Sequence, residues 1–590
     1  MKKMRKTTKR ISALIVSFVM LLSLFTTVFA ADDYTIKITK PESDNAAHKY
    51  SAYQIFTGEV STNEAGEKIL INLVYGDGID AAALCTALGI ADDSTADAAA
   101  AKINELVSGS PAEKTPEQIA DIIAGCKTNA SGNATLAANA SATATADIEV
   151  EGPGYYFIFD EITSGRDKGA FSDHILVVLD NETDFDVPVE SKSDVPSLDK
   201  VIVDSELGEV TANTASIGDD VPFKLTTAVP EMEGYNKYYF VVNDTLCTGL
   251  TYNDDMTITV DGEDLTEDTD YFVTATQPAV PGPTTLKIVF NDFINVYEPA
   301  GLANREASYG KAIVITYSAT LNDDCDRTKT GNPNTADLLF SNDPNHTYTG
   351  TNEPGTGEDN YVGETPEIVT KTYTTGIELH KVDENGDKLT GAEFELTGSK
   401  MNQVIFSRGE YQLDNTNGTY WKLKDETYTT TDPETVTDTS GYASTNDKYS
   451  LVTVTGTVGQ GTSTVSVKGV VDEDGYLKFE GLGAGTYTIT ETKAPKGKSG
   501  EGKTYTFTIG NSPAATTSAP NWTYTGFDNS TVSNPDGPII HIMTIVNPSG
   551  SSLPTTGGIG TVIFYVVGAL LIAGAGTLTV LKVRKKTEQQ

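Results

Sequence analysis

The chain has 590 residues, too long for one hydrophobic core and enough for roughly three or four domains of about 150 residues. Hydrophobic residues make up 38% and charged residues 21%, which excludes a disordered composition. A net charge of −40 excludes nucleic acid as a partner and reads as a solvated, self-repelling surface.

Residues 1–30 carry Lys2, Lys3, Arg5, Lys6, Lys9 and Arg10, then an apolar run from Ile11 to Phe25, then Val28-Phe29-Ala30. This order reads as a signal peptide cut after Ala30 and marks an exported chain. Residues 31–190 form a first unit. It opens with strand-like YTIKIT and closes with GYYFIFDEI and HILVVLD, and between them Ile79 to Cys126 is Ala-rich with helical segments such as AAALCTALGI and EQIADIIAG. The pattern predicts a β-sandwich with a helical insertion. Residues 191–372 form a second unit, with strand patterns KVIV, FKLTTAV, YYFVVN, MTITV, LKIVF, AIVITYSA and ADLLFSN separated by turn residues. An antiparallel sandwich is expected. Residues 373–549 form a third unit, from GIELHKVDENGDKLTGAEFELT to HIMTIVN, and a PSGSS spacer follows it.

Residues 550–590 hold Leu553-Pro554-Thr555-Thr556-Gly557, an apolar stretch from Ile559 to Leu581, and the basic residues Lys582, Arg584, Lys585 and Lys586. The stretch is long enough to span a bilayer as one C-terminal transmembrane helix, with the basic tail on the cytoplasmic side. Motif, span and tail in this order resemble the sortase cell-wall sorting signal. The resemblance implies cleavage between Thr556 and Gly557, transfer of the Thr556 acyl group to an amine, and only transient retention in the membrane. A permanent single-span anchor is the alternative.

Four cysteines lie outside these signals: Cys85, Cys126, Cys247 and Cys325. An even number in an exported chain permits disulfides, and Cys85–Cys126 with Cys247–Cys325 keeps each pair inside one unit. Free buried thiols are the other reading. No CxxC spacing points to a metal or redox site.

Strand alternation places certain charged residues on apolar faces. In the third unit Ile377, Leu379 and Lys381 share a face, as do Tyr487, Ile489 and Glu491, and Met543, Ile545 and Asn547. In the second unit Leu198, Lys200 and Ile202 align, as do Phe240, Val242 and Asp244, and Leu338, Phe340 and Asn342. Asn332 and Asn334 compete with Asn342. Singly, a strand-end Lys snorkels to water and a strand-end Asn caps a turn. Recurring together in two units, they point to one chemistry. An apolar site lowers the amine's pKa and raises the acid's, so a neutral Lys can attack the Asn side chain while Asp244 or Glu491 relays the proton. Ammonia leaves and an intramolecular isopeptide bond remains.

KVDENGDKLTGAEFELT with GTYTITETKAP and IVN resembles the collagen-adhesin B-type immunoglobulin-like domain, whose E-box acid corresponds to Glu491. SLDKVIVD through VNDTL to LLFSNDP resembles the isopeptide-forming middle domain of fimbrial subunits, with Asp244 as its acid. HKYSAYQIFTGEV and GPGYYFIFDEI are similar to the N-terminal domain of Gram-positive backbone pilins. The resemblance implies a mainly β fold, an elongated rod of tandem immunoglobulin-like β-sandwich domains. It also implies a polymerising lysine at the first junction, where DVPVESKSDVPSLDK offers Lys192, with Glu190-Ser191 standing in place of the family's Tyr-Pro. A sortase would then join Thr556 of one subunit to Lys192 of the next. A solvated linker lysine is the plain reading of Lys192.

No cofactor or metal is expected. DENGD at 383–387 suggests a Ca²⁺ loop, but its twelfth position is Phe394, which excludes an EF-hand. None of the five His has metal-ligand spacing, and no GxSxG elbow is present, so no enzyme with turnover is indicated. The expected function is a structural pilus shaft subunit on the cell wall. Its expected partners are sortase transpeptidases, identical subunits, minor tip and basal pilins, peptidoglycan, and a ligand on a host or partner cell. A monomeric wall-anchored adhesin is the alternative.

Overall fold

Short runs of alternating apolar residues between Gly, Asn and Asp turns fold here as strands in mostly antiparallel ladders, with one face of each turned to a core because the pleat sends successive side chains to opposite faces. The computed structural model describes residues 34–587 apart from 65, 67, 142, 180–185, 279–280, 292, 297–307, 399–400, 459–465, 513–520, 526–531, 534–536 and 551–558. The signal segment 1–30 and the motif Leu553 to Gly557 lie outside the described residues. The protein is mainly β.

In the N-terminal part, Tyr34–Thr39 is the central strand of a three-stranded sheet, antiparallel to Ala146–Val150 and parallel to Asp186–Glu190. A second sheet is built on the long strand Ala47–Thr62, flanked by Lys68–Tyr75, Gly132–Leu136 and Gly154–Ser164. Phe157 and Ile158 are neighbours on one strand and therefore enter different cores. Ile158 joins Ile36, Ile38 and Tyr50 between the sheets, while Phe157 joins Leu84, Ile119 and Ile123 from the helices. Those helices are Ala81–Ala87, Ala96–Ser108 and Pro116–Cys126. Asp80, Thr95 and Thr115 cap their first turns, and Thr115 and Gln118 form a reciprocal capping box.

The middle part has two sheets around one large core. One sheet runs in the order Gly208–Val210, Asp199–Asp204, Asp220–Ala228, Ala312–Leu321, Thr257–Val260. The other runs Ala212–Thr214, Ile368–Tyr373, Asn332–Ser341, Phe240–Leu246, Thr284–Phe290, Tyr271–Thr276. The C-terminal β region is a single hydrogen-bonded path of strands around a core that includes Ile377, Leu379, Phe394, Phe479, Ile489 and Ile545. Its first strand, Thr375–Val382, pairs in parallel with Ile540–Val546 near its end. The Ile217 N–H donates to the Gly481 carbonyl at 3.0 Å and joins this region to the middle one. An apolar helix, Ile559–Thr587, follows the motif. Its segment Phe564–Lys582 has a mean hydropathy of 2.0 and is long enough to cross a membrane.

All four cysteines are free thiols, so the pairs Cys85–Cys126 and Cys247–Cys325 are not bonded. The Cys85 thiol meets the Tyr75 hydroxyl at 3.0 Å, and the Cys247 thiol lies 3.9 Å from the Asn332 side-chain oxygen. Burial pushes the Cys247 thiol up to about 11 and the Cys325 thiol up to about 12, which keeps both protonated and slow to oxidise. Alkylation of denatured, unreduced protein should therefore label Cys85, Cys126, Cys247 and Cys325 in full, read by peptide mass mapping. Protection of any pair would contradict the structure.

Candidate functional site

Parallel pairing of the first and last strands brings Lys381 opposite Ile545. Asn547 lies two residues past Ile545, on the same face, and its N–H donates to the Val382 carbonyl at 3.0 Å. Glu491 comes from the strand Gly485–Lys493. The Lys381 ammonium donates to the Ile545 carbonyl at 3.1 Å and lies 3.9 Å from Glu491 Oε1. The Asn547 amide donates to the same carboxylate oxygen. All three residues are fully buried, and Glu491 Oε2 and Asn547 Oδ1 have no hydrogen-bond partner. Burial pulls the Lys381 amine down to about 8, against the pull of Glu491. Burial also raises the Glu491 carboxyl, with Asn547 and Lys381 opposing it. Burial thus biases the amine toward its neutral form and the acid toward its protonated form, and a proton on Oε2 is the donor that the orphan Asn547 carbonyl lacks.

Gly500 closes this site, and sequence reading missed it. A Cβ there would collide with the Asn547 amide and stand 2.6 Å from Glu491 Oε2. The signal was present only as a Gly in the turn-rich stretch KGKSGEGK, where several glycines look alike.

In the middle part Lys200 sits on Asp199–Asp204 and Asp244 on the facing sheet. The Lys200 ammonium donates to Asp244 Oδ2 at 2.7 Å, and the Tyr317 hydroxyl donates to the same oxygen at 2.7 Å. The Asn334 amide donates to the Tyr317 hydroxyl, also at 2.7 Å. Lys200, Asp244 and Asn334 are buried, with Asp244 Oδ1 and Asn334 Oδ1 unpartnered. Burial pulls the Lys200 amine down to about 8 against the attraction of Asp244.

Asn342 is not part of this cluster, which corrects the expectation from alternation. Asp244 pairs with Ala336 and Leu246 with Asn334, whereas Asn342 lies past the end of Asn332–Ser341. It stands eight residues along the chain from Asn334, about 27 Å at strand rise. Its amide instead donates to the carbonyls of Arg166 and Gly169, at 2.7 and 3.1 Å. Asn332 is also occupied elsewhere, donating to the Asp326 and Thr372 carbonyls at 2.9 and 3.0 Å.

Lys192 lies between Asp186–Glu190 and Asp199–Asp204 and its side chain is exposed. Its N–H donates to Ser172 Oγ at 2.9 Å and its carbonyl accepts the Asp173 N–H at 3.0 Å. Among the described residues no cluster of His, Cys, Asp and Glu has a metal-holding arrangement.

On the expected Lys381–Asn547 bond, replacing Gly500 by Ala should displace Asn547 or Glu491 and leave the Lys381 amine free, detected as an unmodified Lys381 peptide. Normal modification of Lys381 in that variant would contradict the packing described. A second expectation concerns pH. The folded Lys381 amine, at about 8, lies below its ordinary value, so between about pH 8 and 10.5 the unfolded chain binds more protons and stability rises with pH. In an Asn547→Ala background, unfolding free energy should rise across pH 8–9.5 relative to an Asn547→Ala/Lys381→Met control. Parallel curves would refute the buried amine.

A family model described as "SpaA: Prealbumin-like fold domain" matches residues 375–521. Another, the LPXTG cell wall anchor motif, matches residues 545–588. The chain is 25% identical over 415 residues to the trypsin-resistant surface T6 protein of Streptococcus pyogenes serotype M6, covering 67% of this chain and 70% of that protein. Among solved structures, the T6 backbone pilin of serotype M6 Streptococcus pyogenes aligns over 89% of this chain and all of its own, at 17% identity and a TM-score of 0.45. The major pilin SpaA of Corynebacterium diphtheriae aligns over 88% of this chain and all of its own, at 14% identity and a TM-score of 0.37. The chain joins a pilin-like prealbumin domain to an LPXTG anchor, and it is a cell-wall-anchored surface protein of the Gram-positive type.

Proposed function

We propose that the protein is the backbone subunit of a covalent pilus, polymerised by a sortase through Thr556 of one copy and Lys192 of the next, and stiffened by two internal isopeptide bonds. The observation that carries the reading is an LPXTG anchor on the same chain as an exposed lysine in the stretch between Asp186–Glu190 and Asp199–Asp204. The sortase breaks the Thr556–Gly557 peptide bond and holds the Thr556 acyl group. The neutral Lys192 amine then attacks it, forming an amide and releasing the enzyme. The basal copy passes its acyl group to a peptidoglycan amine, and minor tip and basal pilins complete the fibre. Similarity to the surface T6 protein supports this assignment.

The internal bonds are assigned to Lys381 with Asn547 and to Lys200 with Asn334. In each, the neutral Lys Nζ attacks the Asn Cγ, a new C–N bond forms, and the bond to the amide nitrogen breaks. At the first site Glu491 donates to the carbonyl oxygen and moves the amine proton to the leaving nitrogen; at the second the proton passes from Lys200 to Asp244 and on through the Tyr317 hydroxyl to the Asn334 nitrogen, and in both the nitrogen departs as ammonia. The fold supplies the positioning. Each site reacts once, so the subunit matures itself and has no turnover.

Wall extracts should give an SDS-resistant ladder that Lys192→Ala abolishes, and a peptide joining Thr556 to Lys192 should be found by mass spectrometry. A single band would favour the monomeric adhesin. Intact mass should fall short of the sequence mass by two ammonias. Asn334→Ala should restore one of them and Asn342→Ala neither, and the reverse pattern would defeat the middle assignment.

A further inference from the structure

The amide of Asn342, absent from the Lys200 cluster, reaches across to the N-terminal part and grips the segment 166–173. Besides its two amide bonds to the Arg166 and Gly169 carbonyls, its own carbonyl accepts the Phe171 N–H at 2.7 Å. Asn345 adds a bond from its amide to the Ser172 carbonyl at 3.1 Å. From the other side, Asp44 Oδ2 accepts the Ala170 N–H at 3.2 Å and Asp160 Oδ2 accepts the Ser172 N–H at 2.8 Å. The two aspartates are held apart by His48, whose ring nitrogens lie 2.9 Å from Asp160 Oδ1 and 3.2 Å from Asp44 Oδ2. Asp44, His48, Asp160 and Asn342 are all buried.

This doubly gripped segment is the one that holds Lys192. Ser172 Oγ takes the Lys192 N–H and donates to the Asp173 carbonyl at 2.9 Å, while the Asp173 N–H donates to the Lys192 carbonyl. Both backbone groups of Lys192 are therefore fixed, and only its side chain is left in solvent. The Asp173 carboxyl stands against Gly234 of the middle part, where a Cβ would come within 3.1 Å of it, so this piece too meets the middle part.

We propose that segment 166–173 is a clasp through which docking of the N-terminal part on the middle part fixes the Lys192 backbone, and that Asn342 and Asn345 are positioning residues for the acceptor step. The proposal rests on the reading of Lys192 as the acceptor amine. A pre-set backbone lowers the ordering cost of presenting a long, flexible side chain to an enzyme. Neither Asn touches the amine. They act on it through Ser172 and Asp173.

The test uses the full chain, purified in detergent and also expressed in the wall, with Asn342→Asp/Asn345→Asp and Asn342→Ala/Asn345→Ala variants. The Asp pair keeps the shape and removes the donors. Amide hydrogen exchange at Phe171, Asp173 and Lys192 should quicken by about ten-fold or more in both variants, the loss expected for a local hydrogen bond. Exchange at the core amides of Leu225 and Val242 should stay unchanged. The SDS-resistant ladder should shorten with both. Unchanged exchange at Lys192 would overturn the clasp. Faster exchange with a full-length ladder would overturn the positioning role. Loosened core amides would reduce both Asn residues to general stabilisers and overturn the proposal. If the ladder survives Lys192→Ala, the acceptor reading itself falls, whereas the exchange data still report on the clasp.

Discussion

A lysine amine shut away from water cannot keep its charge cheaply, and among the described residues three are buried: Lys40 beside Asp44, and Lys200 and Lys381 in the middle and C-terminal cores. Taking an unpaired ammonium out of water costs several kcal/mol, and one carboxylate repays that only with good geometry. The pairing at Lys381 is poor by that measure, with Glu491 3.9 Å away and its second oxygen without a partner. As an ion pair the site is weak, which suits the reaction proposed for it. The proposed conversion of amine and amide into one neutral amide would remove the charge from the core. It would also close chain loops of more than a hundred residues, which in the loop-entropy model stabilises by about 5 kcal/mol.

The two sites reach this arrangement by different routes. At Lys381, parallel strands side by side bring lysine and asparagine together, and the acid comes from a separate strand. At Lys200 the lysine stands on one sheet while the acid and asparagine stand on the other, so the Tyr317 hydroxyl is needed to span from Asp244 to Asn334. Gly500 belongs to the first geometry alone. There the amide and the carboxyl fill the space that a side chain would need.

Much of this was legible in the sequence because faces follow from a period of two. The rows Ile377-Leu379-Lys381 and Tyr487-Ile489-Glu491 read as inward from alternation alone, and they are buried. Register across strands has no such signature. Asn334 and Asn342 both continue an apolar row on one strand, and only the pairing of Leu246 with Asn334 decides which stands near Asp244. Tyr317 reads as an ordinary core aromatic, since nothing in sequence tells where its hydroxyl will point. The cysteines misled for a related reason. Spacing within a unit permits a bond, but the direction of Cys85 toward Tyr75 is set by helix packing.

The position of Lys192 has a mechanical consequence. On the proposed linkage, tension along a fibre enters each copy at Lys192 and leaves at Thr556, so everything before Lys192 hangs beside the load. That part, with its ion pairs around His48, lies outside the covalent path and meets the load only where Ser172 and Asp173 hold the Lys192 backbone. Both lysine–acid–asparagine sets fall between the two points of attachment. Load would run along 192–200, cross to Asn334, follow the chain to Lys381, cross to Asn547 and continue to Thr556. The hydrogen-bonded ladders within residues 201–333 and 382–546 would be shunted, and a pull strong enough to unzip a β-sandwich would meet covalent bonds first.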